Sequence, residues 1–188
     1  MPNQRLGPGD WCQAALAALA EGGLDAVAVE PLAKRLGVSK GSFYWHFKDR
    51  DALVAATVSH WEHALTAEVK NRIAHVADPR ERLAALFRGA FGRRVEAGQI
   101  EAAFVAGREN PLIAPAVRRV TKRRIAYLSA AFRELGFNEH EARHRATVAS
   151  GAYVGLFVMR HTNPAAVPAR SGTIDEFVAD LTDLLTRR

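Results

Sequence analysis

Leu32-Ala33-Lys34-Arg35-Leu36-Gly37-Val38-Ser39-Lys40-Gly41-Ser42-Phe43-Tyr44-Trp45-His46-Phe47 is the stretch on which the fold turns. It reads as two short helices joined by a tight turn at Gly37, the residue that adopts left-handed backbone without strain. Such a pair presents the start of its second helix to a DNA groove, and the small residues Gly41 and Ser42 let the backbone come close. Lys40, Ser42, Tyr44, His46, Lys48 and Arg50 place hydrogen-bond donors around the same end. Residues 34–50 carry five basic side chains (Lys34, Arg35, Lys40, Lys48, Arg50) against one acid, Asp49, a surplus of four within a whole-chain net charge of +6. A basic balance alone favours polyanions in general, whereas this clustering gives the preference a place.

Outward from that stretch, apolar residues keep recurring at three and four, and no strand alternation competes. Helix 1 is expected from Asp10, as N-cap, to Glu21, with Trp11, Ala14, Ala15, Leu16 and Leu19 inward and Gly22-Gly23 ending it. Helix 2 spans Val29 to Leu36, with Pro31 tolerated in its first turn. Helix 3 runs from Lys40 to Phe47. Helix 4 starts at Asp49 and continues to Ala74. Asp78-Pro79 opens helix 5, whose stripe Leu83, Leu86, Phe87, Ala90, Phe91 and Val95 closes at Gly98. Helix 6 covers Ile100 to Ala106, and after Asn110-Pro111 helix 7 runs to Leu135, with Gly136 as C-cap. Helix 8 spans Glu139 to Arg160, a loop spans Asn163 to Gly172, and helix 9 carries Ile174 to Leu185. The expectation is an all-α chain of about nine helices. Its N-terminal three-helix helix-turn-helix domain spans residues 1–55, and a helical ligand-binding and dimerisation domain spans 56–188.

Composition narrows the function. Hydrophobic residues make up 48% and charged residues 24%, the balance of a globular protein. Cys12 is the only cysteine, which excludes an internal disulfide or a thiolate metal cage and reads as a small buried hydrophobe. Residues 1–10 lack a signal-peptide core, and the longest apolar stretch, Ala146 to Met159, falls short of the roughly 18–20 residues of a membrane span. The expected location is the cytoplasm, with no membrane partner. No paired catalytic carboxylates, nucleophile motif or phosphate loop appears, so the chain is not expected to be an enzyme or to need a cofactor. His140/His144 and His60/His63 have spacings that could place two imidazoles on one metal, and a metal-dependent enzyme is the rival they raise. Each pair lacks a third ligand, so no metal is expected. Arg118, Arg119, Lys122, Arg123 and Arg124 read as a solvated helix face rather than a second DNA surface.

Ala14-Ala15-Leu16, Gly23, Leu32-Ala33, the run Gly37 to Phe47 and Leu53 follow in order and spacing the N-terminal signature of the tetracycline-repressor (TetR) family, which the first 55 residues resemble. The resemblance implies a sequence-specific DNA-binding transcriptional regulator, a repressor released by a small-molecule effector. It makes helix 3 the recognition helix, with Lys40, Gly41 and Ser42 nearest the bases and Trp45 flanking them. Tyr44, His46, Lys48 and Arg50 look like phosphate contacts, and Val29, Arg35 and Ser39 complete the DNA-facing set. The chain departs from the family at the start of helix 2, where Val27 and Ala28 stand in place of a capping hydroxyl, and at Gly22. A ligand-binding module that has lost its operator is therefore a second reading.

Trp61, Phe87, Phe91, Phe104, Tyr127, Tyr153 and Phe157 suggest an apolar pocket, with Thr147 and the tyrosines as polar handles for a partly apolar effector. Thr147, Gly151 and Gly155 repeat at spacing four on helix 8, whose opposite stripe (Ala146, Ala149, Tyr153, Phe157) is also apolar, so two faces need covering. With Phe177, Leu181 and Leu184 of helix 9 they are expected to form a four-helix homodimer interface, as the resemblance also implies. A dimeric helix-turn-helix protein reads a pseudo-palindromic operator on double-stranded DNA.

Overall fold

Pro8, with its fixed φ and missing N–H, opens the first helix, because the first turn needs no donor there. The computed structural model describes residues 6–92, 95–167 and 171–187. Its helices are α1 (Pro8–Gly22), α2 (Val29–Leu36), α3 (Lys40–Tyr44), α4 (Arg50–Ile73), α5 (Pro79–Phe91), α6 (Val95–Ala106), α7 (Ala114–Glu134), α8 (Glu139–Thr162) and α9 (Ser171–Thr186). Single 3-10 turns lie at Leu24–Ala26 and Pro164–Ala166, and no strand occurs among the described residues. The protein is all-α, as its periodicity predicts.

Three boundaries differ from the sequence reading, each for a local reason. Asp10 is not the N-cap of α1 but lies inside its first turn, where its carboxylate accepts the Gly7 N–H at 2.7 Å. Helix 5 does not reach Gly98: Gly92 ends it, with its N–H bonded to Arg88 O at 2.9 Å, and Val95 and Gly98 belong to α6. Phe91 and Val95 are four residues apart, so the apolar repeat runs straight across a real break. Helix 3 stops at Tyr44 as an α-helix, with Trp45 and His46 completing the turn into α4.

The chain forms two compact units. The first takes residues up to Leu65 together with Val95–Arg118, so α6 joins the helix-turn-helix segment and the start of α4. The sequence division at residue 55 does not include this return of the chain, which is a long-range packing event between α1 and α6. Trp11, Phe43, Leu32, Leu53, Phe104 and Ile113 are fully buried here. Trp11 meets Phe43 edge-on at 5.3 Å, and Phe43 lies 5.5 Å from Phe47.

The second unit takes Thr66–Arg94 and the chain from Arg119 on, with α9 and α8 against α5. Its core is Leu83, Phe87, Phe91, Leu128, Phe132, Phe137, Ala146, Tyr153, Leu156, Val178 and neighbours. Asn138 caps α8 by accepting the Glu141 N–H at 2.9 Å while the Glu141 carboxylate accepts the Asn138 N–H, a reciprocal capping box. Arg82 ties α5 to the end of α7: it reaches both Glu134 oxygens and the carbonyls of Val76 and Ala77 at 2.7–3.0 Å. Gly136 (φ 89) ends α7 in the left-handed region, as expected of a C-cap glycine.

Candidate nucleic-acid interface

Gly37 closes α2 with φ 70 and ψ 27 and turns the chain into α3. Leu32, Ala33, Phe43 and Phe47 anchor the two helices by burial. The residues between the anchors are thereby forced outward: Lys40, Gly41, Tyr44 and Trp45 are exposed, Tyr44 at 56% and Trp45 at 87%. Tyr44 and Trp45 thus place two adjacent aromatic side chains in solvent at the end of α3. A Cβ on Gly41 would meet only Ser39 Oγ, at 3.6 Å, so nothing inside the protein demands glycine there.

The candidate DNA residues fall into two groups. Ser39, Lys40, Gly41, Tyr44, Trp45 and Lys48 share the exposed end, with Lys48 83% exposed and loosely paired to Asp49 at 3.7 Å. Ser42, His46 and Val29 are half-buried beside them. Arg50, grouped with Lys48 by sequence, is used differently. Its Nε donates to Val27 O at 2.7 Å and its Nη2 to Leu24 O at 2.6 Å, so most of its guanidinium faces the junction before α2.

That junction lacks a side-chain cap, since Ala28 has no oxygen to offer, in keeping with the departure seen in sequence. Arg35 pairs with Glu21 at 2.5 Å, and Lys40 pairs with Glu30 at 2.7 Å. The hydrogen bond and charge of Lys40 lower the Glu30 carboxyl from its usual range, and the same contacts raise the Lys40 ammonium. Sequence reasoning missed both acids. Glu21 and Glu30 lie 14 and 10 residues from their partners, beyond any local spacing rule.

The candidate ligand residues are divided between the two units. Trp61 and Phe104 lie in the first unit with ring centroids 4.4 Å apart, next in sequence to or one turn from two buried acids, Glu62 and Glu101, that the sequence reading did not single out. Phe87, Phe91 and Tyr153 lie in the second unit, with Phe91 6.1 Å from both other rings and 5.2 Å from Phe177. Arg124 stands 4.5 Å over the Tyr153 ring. Tyr127 and Phe157 are half-buried. Thr147 is exposed, with its hydroxyl donated to Arg143 O, on the outer side of α8 together with Gly151 and Gly155.

That outer side also carries Val148, Val154, Val158 and Met159, all exposed, while Ala142, Ala146, Ala149 and Tyr153 are buried on the other. A Cβ on Gly151 or Gly155 would meet nothing within 4 Å. Leu184 of α9 is 64% exposed; Phe177 and Leu181 are half-buried. His140 and His144 stack at 3.9 Å, whereas His60 bonds Gln13 and His63 bonds Ser59. No group of three or more metal-ligating side chains occurs among the described residues, and none of their helices is long and apolar enough to cross a membrane.

Buried anchors, a left-handed glycine turn and an exposed basic end define a helix-turn-helix protein with an appended all-helical unit. Residues 12–57 match the family model of bacterial regulatory proteins, tetR family. Over 81 residues the chain is 37% identical to the HTH-type transcriptional regulator BetI of Yersinia pestis (strain Pestoides F), a match covering 42% of this chain and 41% of that protein. The match thus spans about two fifths of the curated relative's length. The fold is also that of a transcriptional regulator from Rhodococcus sp. Rha1 (24% identity, 96% and 94% of the two chains, TM-score 0.78). A regulator from Saccharomonospora viridis, solved in complex with choline, shares it too (18% identity, 96% of each chain, TM-score 0.80). Residues 12–57 are thus similar to the N-terminal segment of bacterial regulatory proteins of the tetR family, and the described chain shares the fold of solved regulators.

Proposed function

We propose that the protein is a non-enzymatic transcriptional regulator of the cytoplasm that binds a pseudo-palindromic operator as a homodimer and is released from it by a small molecule. The observation that carries this reading is the α2–Gly37–α3 arrangement, in which Phe43 and Phe47 are buried so that Lys40, Gly41, Tyr44 and Trp45 stand exposed together. Phosphate contacts from Lys48, Tyr44 and His46 would set the register, and Lys40, Gly41 and Ser42 would meet base edges. The outer stripe of α8 with Leu184 supports dimerisation through α8 and α9, because a monomer rarely leaves that much aliphatic surface on one helix. The rings around Trp61 and around Phe91 support an effector with an apolar portion, and the choline complex of the Saccharomonospora protein supports small-molecule control of this fold. An effector preferring one spacing of the two recognition helices would shift the population from the DNA-competent state, with α4, which contributes to both units, carrying the change.

Selection of sheared genomic DNA from the source organism by the purified protein tests this. Retention of a short inverted repeat is the expected result. Retention of no preferred sequence by folded dimer, at modest salt, refutes operator binding and leaves the ligand-binding module.

A further inference from the structure

Two basic side chains of the DNA-facing set are already held by acids of this chain. Lys40, the first residue of α3, lies 2.7 Å from Glu30 in the first turn of α2, and Arg35 lies 2.5 Å from Glu21 at the end of α1. The Lys40–Glu30 pair is solvent-exposed, at 52% and 73%, and exposed pairs add little to stability. The α2–α3 packing does not depend on it, because Leu32, Ala33 and Phe43 are buried beneath. Its consequence lies outside the fold. Any DNA that takes the Lys40 ammonium must first displace the Glu30 carboxylate, which then stands bare beside a polyanion.

We propose that Glu30 is a specificity-determining residue: an internal counterion that competes with DNA for Lys40, so that Lys40 is released only where the other contacts of α3 compensate. The inference rests on the DNA-binding reading above. A random duplex seldom sets a base-edge acceptor in register with Lys40, so the exchange there trades the Glu30 carboxylate for a phosphate alone, and the attraction lost to Glu30 offsets the one gained. A matched site offers base-edge acceptors as well, so the same exchange is favourable there. Glu30 thereby lowers non-specific affinity more than specific affinity, which is how a repulsive element yields discrimination.

The test is fluorescence anisotropy with the full-length protein, a labelled random-sequence duplex and the duplex recovered by genomic selection, over about 50–300 mM KCl. Wild type, Glu30→Gln, Lys40→Ala and the double variant are compared, with circular dichroism confirming the fold. Glu30→Gln is expected to bind random DNA about 3- to 10-fold tighter near ~100 mM salt, with a log–log salt slope steeper by about 0.9, and to lose part of its preference for the selected duplex. The gain should vanish in the Lys40→Ala background. An unchanged affinity and slope, or a gain that persists without Lys40, overturns the inference while leaving DNA binding intact. Failure of all four proteins to bind any duplex refutes the DNA-binding reading itself, and the inference with it.

Discussion

Replacing Arg50 and Lys48 by alanine, one at a time, separates a side chain that holds the fold from one proposed above to face DNA. Arg50 donates two hydrogen bonds to main-chain carbonyls, Val27 O at 2.7 Å and Leu24 O at 2.6 Å, from a half-buried position. Hydrogen bonds from charged donors contribute about 1.5–3 kcal/mol each, and partial exposure favours the lower end, so Arg50→Ala should cost about 2–3 kcal/mol. For a chain of this size that is a fall in Tm of about 4–12 °C. Lys48 is 83% exposed, and its one acidic neighbour stands 3.7 Å away, so Lys48→Ala should leave stability within about 0.5 kcal/mol of wild type. On DNA the order reverses: Lys48→Ala is expected to flatten the salt slope by about 0.9, as loss of one phosphate contact does. Urea denaturation and anisotropy titrations across salt provide both readouts. If Arg50→Ala unfolds like wild type yet flattens the salt slope as Lys48→Ala does, Arg50 is a phosphate contact and the anchoring role is wrong.

Further outcomes are expected from the same geometry. Gly37→Ala places a Cβ on a left-handed residue (φ 70), and should cost about 1–2 kcal/mol in urea denaturation and weaken DNA binding through a misplaced α3. In the homodimer proposed above, Val158→Asp, on the exposed stripe of α8, should shift the mass seen by light scattering to that of a monomer with little change in helicity; a dimer unaltered by the substitution would remove that stripe from the interface. Arg82→Met breaks the contacts to Glu134, Val76 and Ala77, and the urea midpoint should fall by the equivalent of about 2–4 kcal/mol. Cys12 is buried, and burial pushes its thiol above the ordinary value of 9.0. A raised folded-state value means that its contribution is complete below pH 9.0 and is lost as pH climbs beyond it, so wild type should lose stability above pH 9.0 relative to Cys12→Ala. Rapid alkylation of the native thiol near pH ~8 would contradict that burial.

Much of the candidate interface was legible because its signals are local. Gly37 between two apolar pairs specifies the turn, Phe43 and Phe47 four apart specify the buried side, and the residues between them are exposed by default. The same locality explains the errors. Phe91 and Val95 keep helical spacing across the break at Gly92, so periodicity joined α5 to α6. Lys48 and Arg50 look alike in sequence, and only the carbonyls of Leu24 and Val27, 26 and 23 residues before Arg50, distinguish them.

The sequence by itself determined the helical class, the turn at Gly37, the C-cap at Gly136 and the basic end of the second motif helix, because each depends on residues within one or two turns of one another. Tertiary structure alone decided which charges are spent internally. Glu30 on Lys40, Glu21 on Arg35 and the inward turn of Arg50 all join residues 10 or more apart. It also brought α6 against α1 and left the outer stripe of α8 uncovered. The physical reason is that hydrogen-bond and ion-pair partners are chosen by distance in space, which burial of the core fixes, and hydrophobic spacing along the chain carries no record of that choice.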